Sequence, residues 1–258
     1  MARERIGIMG GSFNPIHERH IALGACALEH AKLSRILFIP TGNPPHKHNG
    51  LAPAEHRYEM TRLAVLRAPR CEASRVELDR EGVIYTLDTL RLLRKELPQA
   101  DFFFIIGEDT LQELPTWHEP DKLFKLCTFL VSPRSTGRPE AQPVCDELIR
   151  RGAKLEFLPL TPQNVSATAI REKLRAGEPV PELPLQVAEY IRIMGLYGVR
   201  PSPPGADAIY PRLRQRLSDK RLLHSLLVAA TARELARIHH IDEDQAALAG
   251  LLHDCAKC

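Results

Sequence analysis

The sequence predicts an α/β protein, a doubly wound parallel sheet followed by a short all-α segment. Three observations carry this. The runs Arg35 to Pro40 (RILFIP) and Asp101 to Ile106 (DFFFII) are continuous and apolar, as strands buried on both faces are. Around them lie stretches with helical spacing, so strand, helix and strand alternate within the first forty residues. At Pro201 to Gly205 (PSPPG) closely spaced prolines favour an extended spacer, and beyond it the composition is wholly helical.

The first strand carries Ile6, Ile8 and Met9 and is broken by Gly10 and Gly11. Ser12, Asn14 and Pro15 form a turn before a helix from near His17 to about Lys32, with Ile21, Leu23, Ala27 and Leu28 on its packing side. A strand that ends in glycines and feeds a helix suits phosphate. The glycines permit close backbone approach, and the N–H groups and positive dipole end of the helix favour an anion. His17 and His20, three apart, share one face of the first turn, where imidazoles can donate to phosphate oxygens.

After RILFIP, the loop Thr41 to Pro53 leaves the C-terminal end of a strand, where open α/β sheets bind ligands. Lys47, flanked by His46 and His48, is a cationic group over the site or part of a solvated loop, and Asn43 could supply a polar contact to a substrate. Ala54 to Ala68 reads as a helix, with Tyr58, Met60, Leu63, Ala64 and Leu66 inward and Arg57, Arg62 and Arg67 on other faces. Arg70 to Leu78 holds a strand in its later half, and Thr86 or Asp88 caps a helix running to Leu97. That helix start also offers N–H groups to a carboxylate.

DFFFII is the most hydrophobic strand and reads as central. Glu108 and Asp109, after Gly107 at its end, suit ribose hydroxyls or a magnesium ion with its waters. Trp117, the only tryptophan, is either core filler or a stacking platform for a flat ring. A strand at Thr128 to Val131, a helix to Gly152 and a strand at Lys154 to Leu158 continue the alternation. Ser166 then caps a helix to Ala176, stopped by Gly177, and Ser166, Thr168 and Arg171 can meet one anion. A last helix ends at Gly195 or Gly198, which bounds a domain at 1–200, a linker at 201–207 and a helical segment at 208–258.

GGSFNPIHERH resembles the signature of the HxGH nucleotidyltransferases, and its GGSFNP lead-in is similar to the nicotinate-nucleotide adenylyltransferase family. PPHK at Pro44 to Lys47, YTLDTL at Tyr85 to Leu90, GED at Gly107 to Asp109 with Trp117 after it, and SATAIR at Ser166 to Arg171 follow in that family's order. The resemblance covers about residues 1 to 200 and implies a Rossmann-like fold and transfer of an adenylyl group from ATP to nicotinate mononucleotide. It implies His17, His20, Lys47 and Arg171 as catalytic residues, and Gly10, Gly11, Ser12, Phe13, Ser166 and Thr168 as ATP contacts. For the acceptor it implies Asn43, Tyr85, Thr86, Asp109 and Trp117, with magnesium accompanying ATP. Arg19 stands where the family has glycine; it either obstructs the nucleotide or adds a phosphate contact. The related reading is transfer to nicotinamide mononucleotide or phosphopantetheine, and a chain impaired by Arg19 would bind ATP without turnover.

The tail resembles the start of an HD-domain phosphohydrolase, of the kind that hydrolyses a dinucleotide polyphosphate. This implies His224, His253 and Asp254 as ligands of a divalent, iron-like metal in an incomplete site, because the family's later aspartate would fall after residue 258.

Composition agrees with an enzyme of small anions. A formal charge of +3 is too mild to argue for nucleic acid, so the positive charge for a phosphate must be local. No signal peptide is evident and no apolar run nears the ~18 residues of a membrane helix, so a soluble, cytoplasmic protein is expected. Six scattered cysteines read as reduced thiols, and the terminal pair Cys255 and Cys258 lacks the further ligands of a closed zinc site. A homo-oligomer stays open.

Overall fold

The computed structural model describes residues 3–42, 50–133, 142–161 and 165–255. Its strands are β1 (Arg5–Gly11), β2 (Arg35–Pro40), β3 (Cys71–Ala73), β4 (Asp101–Gly107), β5 (Cys127–Ser132) and β6 (Lys154–Phe157). All pair in parallel in the order β3-β2-β1-β4-β5-β6, with Ile8 opposite Leu37 on one side and Phe104 on the other. The order reverses between β1 and β4, which opens a crevice at their C-terminal ends.

Successive residues of a strand face opposite layers, and each layer is covered by helices. Met9, Phe38, Phe103 and Ile105 pack under α1 (Glu18–His30), α2 (Ala54–Val65), α7 (Ala167–Ala176) and α8 (Leu185–Met194). Ile6, Ile8, Phe102, Phe104 and Ile106 pack under α3 (Thr86–Glu96), α4 (Glu108–Glu113), α5 (Pro120–Leu123) and α6 (Gln142–Arg150). The sheet is thus doubly wound. Gly24 seats α1: a Cβ there would lie 2.9 Å from Phe38 Cζ, so only glycine lets the helix lie this close to β2.

Several local expectations are corrected. β3 occupies Cys71–Ala73, ahead of the half anticipated, because Asp79 N–H donates to the Arg75 carbonyl at 3.1 Å and their side chains pair at 3.0 Å, turning the chain away. α2 stops at Val65, short of Ala68, as Pro69 disfavours helix in the residue before it. Arg57 and Arg62 are buried, not on outer faces; Arg62 pairs with Glu59 at 2.7 Å and Asp219 at 2.8 Å. Neither Thr86 nor Asp88 caps α3, whose N-cap is Tyr85 without a side-chain bond.

The helical tail comprises α9 (Ala206–Arg216), α10 (Asp219–Ile238) and α11 (Glu243–Leu252). The spacer expected over 201–207 is part of the packed body, since Ser202 N–H donates to the Arg192 carbonyl at 3.0 Å and Ala206, already helical, is fully buried. Tyr210, Leu213, Leu222 and Leu226 join the same apolar cluster as Val187 and Ile191 of α8. The Tyr210 hydroxyl donates to Glu59 of α2. Arg233 of α10 pairs with fully buried Glu189 of α8 at 3.0 Å and with Asp244 at 3.1 Å. Within the described residues, no helix is long and apolar enough to cross a membrane.

Candidate active site

The crevice at the switch point is a cleft of about 1040 Å³. The ends of β1, β2, β4 and β5 supply Gly10, Gly11, Thr41, Gly107 and Ser132, and helix starts supply His17 and His20, Thr86, and Ser166 with Ala167. Three helix N-termini therefore converge on one space. A helix start offers free N–H groups and the positive end of a dipole, which favour an anion.

His17 is the N-cap of α1 and is buried. Its backbone N–H donates to His20 Nδ1 at 3.2 Å, and the two rings stack with centroids 3.7 Å apart. Because that Nδ1 accepts, the proton of a neutral His20 sits on Nε2, which becomes its donor. Burial, then the neighbouring Arg19 charge, lowers His17 to a pKa of about 4, against the weaker pull of Glu182. Burial, then His17 and Arg19, holds His20 well below its ordinary value. Both rings are neutral near pH 7 in the free cleft.

Arg19 borders the cleft and also a side cavity of about 480 Å³ lined by Glu18, Ala22, Val165 and Glu182. It stands in the wall between two spaces. Phe13, at φ +42°, packs edge-on to His20 with centroids 5.1 Å apart. Ser166 caps α7, accepting from Ala169 N–H at 3.5 Å. Arg171 ties this helix to the first motif, donating to the Asn14 carbonyl at 2.8 Å and to Thr168 Oγ1 at 3.1 Å. Thr168 and Arg171 lie beside the cleft lining, not within it.

Thr86 and Trp117 share the cleft, and the Trp117 ring meets Phe104 edge-on at 6.1 Å. Tyr85 does not join them: it is 40% exposed and stacks on His118 at 4.2 Å. Asp109 is exposed on α4 and is absent from the lining. Asn43 and Lys47 lie outside the described residues.

Four residues carry more of the site than their sequence neighbourhood announces. Asn14 Nδ2 donates to the Gly50 carbonyl at 2.9 Å and Oδ1 accepts from Ala52 N–H at 3.0 Å, joining the first motif to the chain that enters α2. Arg57, buried in α2, donates to the Ser12 carbonyl at 2.9 Å. Glu77 borders the cleft and accepts from Thr89 Oγ1 at 2.9 Å; burial raises its pKa. Ser132 borders the cleft at the end of β5, and its Oγ is buried without a hydrogen-bond partner among the described residues. Its position at a strand's C-terminal end was the available signal.

A second cluster lies in the tail, where ligand atoms of His224, His253 and Asp254 fall within 4.8 Å of one another. His253 Nδ1 meets the Gly250 carbonyl at 2.7 Å, which can only accept, so the ring proton sits on Nδ1. His253 Nε2 is then bare and lies 3.2 Å from His224 Nε2. Two imidazoles and a carboxylate, one ring oriented through its far nitrogen, fit a divalent transition metal.

The cytidylyltransferase-like family model matches residues 8–173, and the HD domain model matches residues 221–258. Among similar chains, a "Probable nicotinate-nucleotide adenylyltransferase" of Thermus thermophilus is 43% identical, spanning 75% of this chain and 99% of its own. Those of Gloeobacter violaceus and Saccharopolyspora erythraea are each 40% identical, over 79% and 76% of this chain and 99% and 90% of theirs. The nicotinic acid mononucleotide adenylyltransferase of Plasmodium falciparum, complexed with NaAD, has the same fold, with a TM-score of 0.63 at 18% identity over 76% of this chain and 98% of that one. With relatives of this identity covered nearly end to end, the chain belongs to the cytidylyltransferase-like family, among its nicotinate-nucleotide adenylyltransferases.

Proposed function

We propose that this protein transfers the adenylyl group of ATP to nicotinate mononucleotide, giving nicotinate adenine dinucleotide and pyrophosphate. One observation carries the reading: a glycine turn, two stacked histidines, three helix starts and a tryptophan share a single cleft. An oxygen of the acceptor's 5'-phosphate attacks the α-phosphorus of ATP, and the bond from that phosphorus to the bridging oxygen of pyrophosphate breaks. No nucleophilic residue is needed, since the attacking group is already an anion. The protein positions two anions and spreads the transition-state charge.

His17 and His20 contact the reacting phosphates; Gly10, Gly11, Ser12 and Phe13 border them through backbone N–H groups. Ser166, Thr168 and Arg171 bind the triphosphate from the α7 side, with Lys47 on the departing pyrophosphate. Thr86 and the N–H groups of α3 meet the pyridine carboxylate, and the Trp117 ring stacks on the pyridine. Asn43, Tyr85 and Asp109 serve the acceptor from outside the described lining. Arg19, in the cleft wall, adds a phosphate contact and leaves about 1040 Å³ open. Among the described residues Glu77 is the one carboxylate in the cleft lining, and it is engaged with Thr89, so magnesium is held mostly by substrate oxygens and water. When bound, that ion neutralises phosphate charge.

The test is magnesium-dependent pyrophosphate release from ATP with nicotinate and nicotinamide mononucleotides as separate acceptors, on the wild type and on Arg19→Gly. Release with the acid at rates exceeding the amide by at least about tenfold, a difference of ~1.4 kcal/mol, is expected from the wild type. Arg19→Gly should raise the KM for ATP. No release by either protein would refute the reading.

The tail supports a second reading, a divalent metal bound by His224, His253 and Asp254. Such an ion would polarise a phosphate oxygen or activate water there. We read the protein as cytoplasmic, where both nucleotides are available.

A further inference from the structure

Arg57 of α2 is a cation with only 2% exposure, and its partners are oxygens of neutral groups. Nε donates to the Ala52 carbonyl at 2.9 Å, and Nη2 donates to the Gly42 carbonyl at 3.1 Å. Nη1 donates to the Ser12 carbonyl at 2.9 Å and reaches Thr41 Oγ1 at 3.4 Å. One guanidinium thus joins the turn after β1, the end of β2 and the chain entering α2. None of these hydrogen-bond partners is a carboxylate, so among the described residues the buried charge is held mainly by this fan of bonds, with Glu77 and Tyr197 favouring it only through longer-range electrostatics. A planar fork can point at several acceptors at once; an ammonium cannot hold the same set.

The bond to Ser12 bears on the phosphate site. The Ser12–Phe13 peptide is trans, so with its carbonyl turned to Arg57 the Phe13 N–H points the opposite way. Ser12 and Phe13 both border the cleft, and Phe13 sits at φ +42°, a conformation that a bulky residue rarely adopts. Such a conformer persists only where its surroundings hold it. A flip of this peptide would exchange its N–H for a carbonyl oxygen, which repels phosphate.

We propose that Arg57 is a positioning residue, whose fork locks the Ser12–Phe13 peptide with its N–H presented to the phosphates of the bound nucleotide. The inference rests on the adenylyl-transfer reading for its ligand. Asn14 braces the same arrangement from the other side, through Gly50 and Ala52.

Arg57→Lys keeps the charge and removes the fork. We expect kcat per folded molecule to fall about a hundredfold, the scale of a small misplacement at a reacting centre. The KM values should stay within about threefold, as binding through other groups persists. Independently of turnover, amide exchange over residues 11–13 in the ligand-free protein should quicken about tenfold while β4 keeps its protection. A lysine variant with unchanged exchange over 11–13 overturns the proposal, and so does faster exchange with wild-type kcat. If Arg57→Lys does not fold, Arg57→Gln is measured in the same way; failure of both to fold assigns the guanidinium to stability alone and also overturns it. A wild type that uses neither acceptor refutes the transfer reading, and the exchange comparison then decides Arg57 by itself.

Discussion

His17 and His20 show how much a cleft changes two ordinary residues. Their spacing was legible, because two histidines three apart after a glycine turn can serve one anion. Their neutral state was not legible, since it comes from burial in the fold and from the neighbouring Arg19 charge. A base whose folded pKa lies below its unfolded value contributes full stability above about 6.5 and loses it as pH falls toward about 4. From His17 alone the loss between pH 7 and pH 5 should be about 2 kcal/mol. His17→Gln should flatten that part of the urea-midpoint profile; a profile as steep as the wild type's would mean that His17 is not a buried neutral base.

At the scale of elements, the strands other than β3 and most of the anticipated helix limits followed from apolar runs, proline and glycine. What escaped was the burial of Arg57 and Arg62 on α2. Arg57 is one turn before Met60 and two before Ala64, on their packing face, so a cation in line with apolar residues was the signal that it is buried. Helix contacts also set the sign of glycine substitutions. In an exposed helix, glycine to alanine gains about 1 kcal/mol. In α11 a Cβ on Gly250 would lie 2.8 Å from Ala229 Cα, backbone that cannot yield. Gly250→Ala should therefore destabilise by about 1–3 kcal/mol, read as a lower Tm. An unchanged or higher Tm would show that α10 and α11 are not held this tightly.

For the whole molecule, the alternation of strands and helices was legible to the switch point, because local pattern dictates it. The junction with the tail was not. PSPPG looks like a spacer to any local rule, yet Glu59, Arg62, Tyr210 and Asp219 join body to tail through contacts more than a hundred residues apart in sequence. A shorter-range tie, the Glu189–Arg233 pair 44 residues apart, is nearly fully buried. Arg233→Met would leave the buried Glu189 carboxylate with only the looser Arg192 contact at 3.7 Å among the described residues and cost about 3 kcal/mol. The same loss should appear in the melting of the transferase body, as one shared transition; a body that melts as in the wild type while the tail melts early would contradict the shared core.

Trp117 is the only tryptophan among 258 residues, and its ring borders the cleft. The tryptophan emission of the protein, excited at wavelengths where its five tyrosines do not absorb, therefore comes from the wall of its candidate active site. The proposed stacking of the acceptor's pyridine on that indole would quench the emission directly, and acceptor occupancy would then be titrated on unmodified protein, with no label and no turnover.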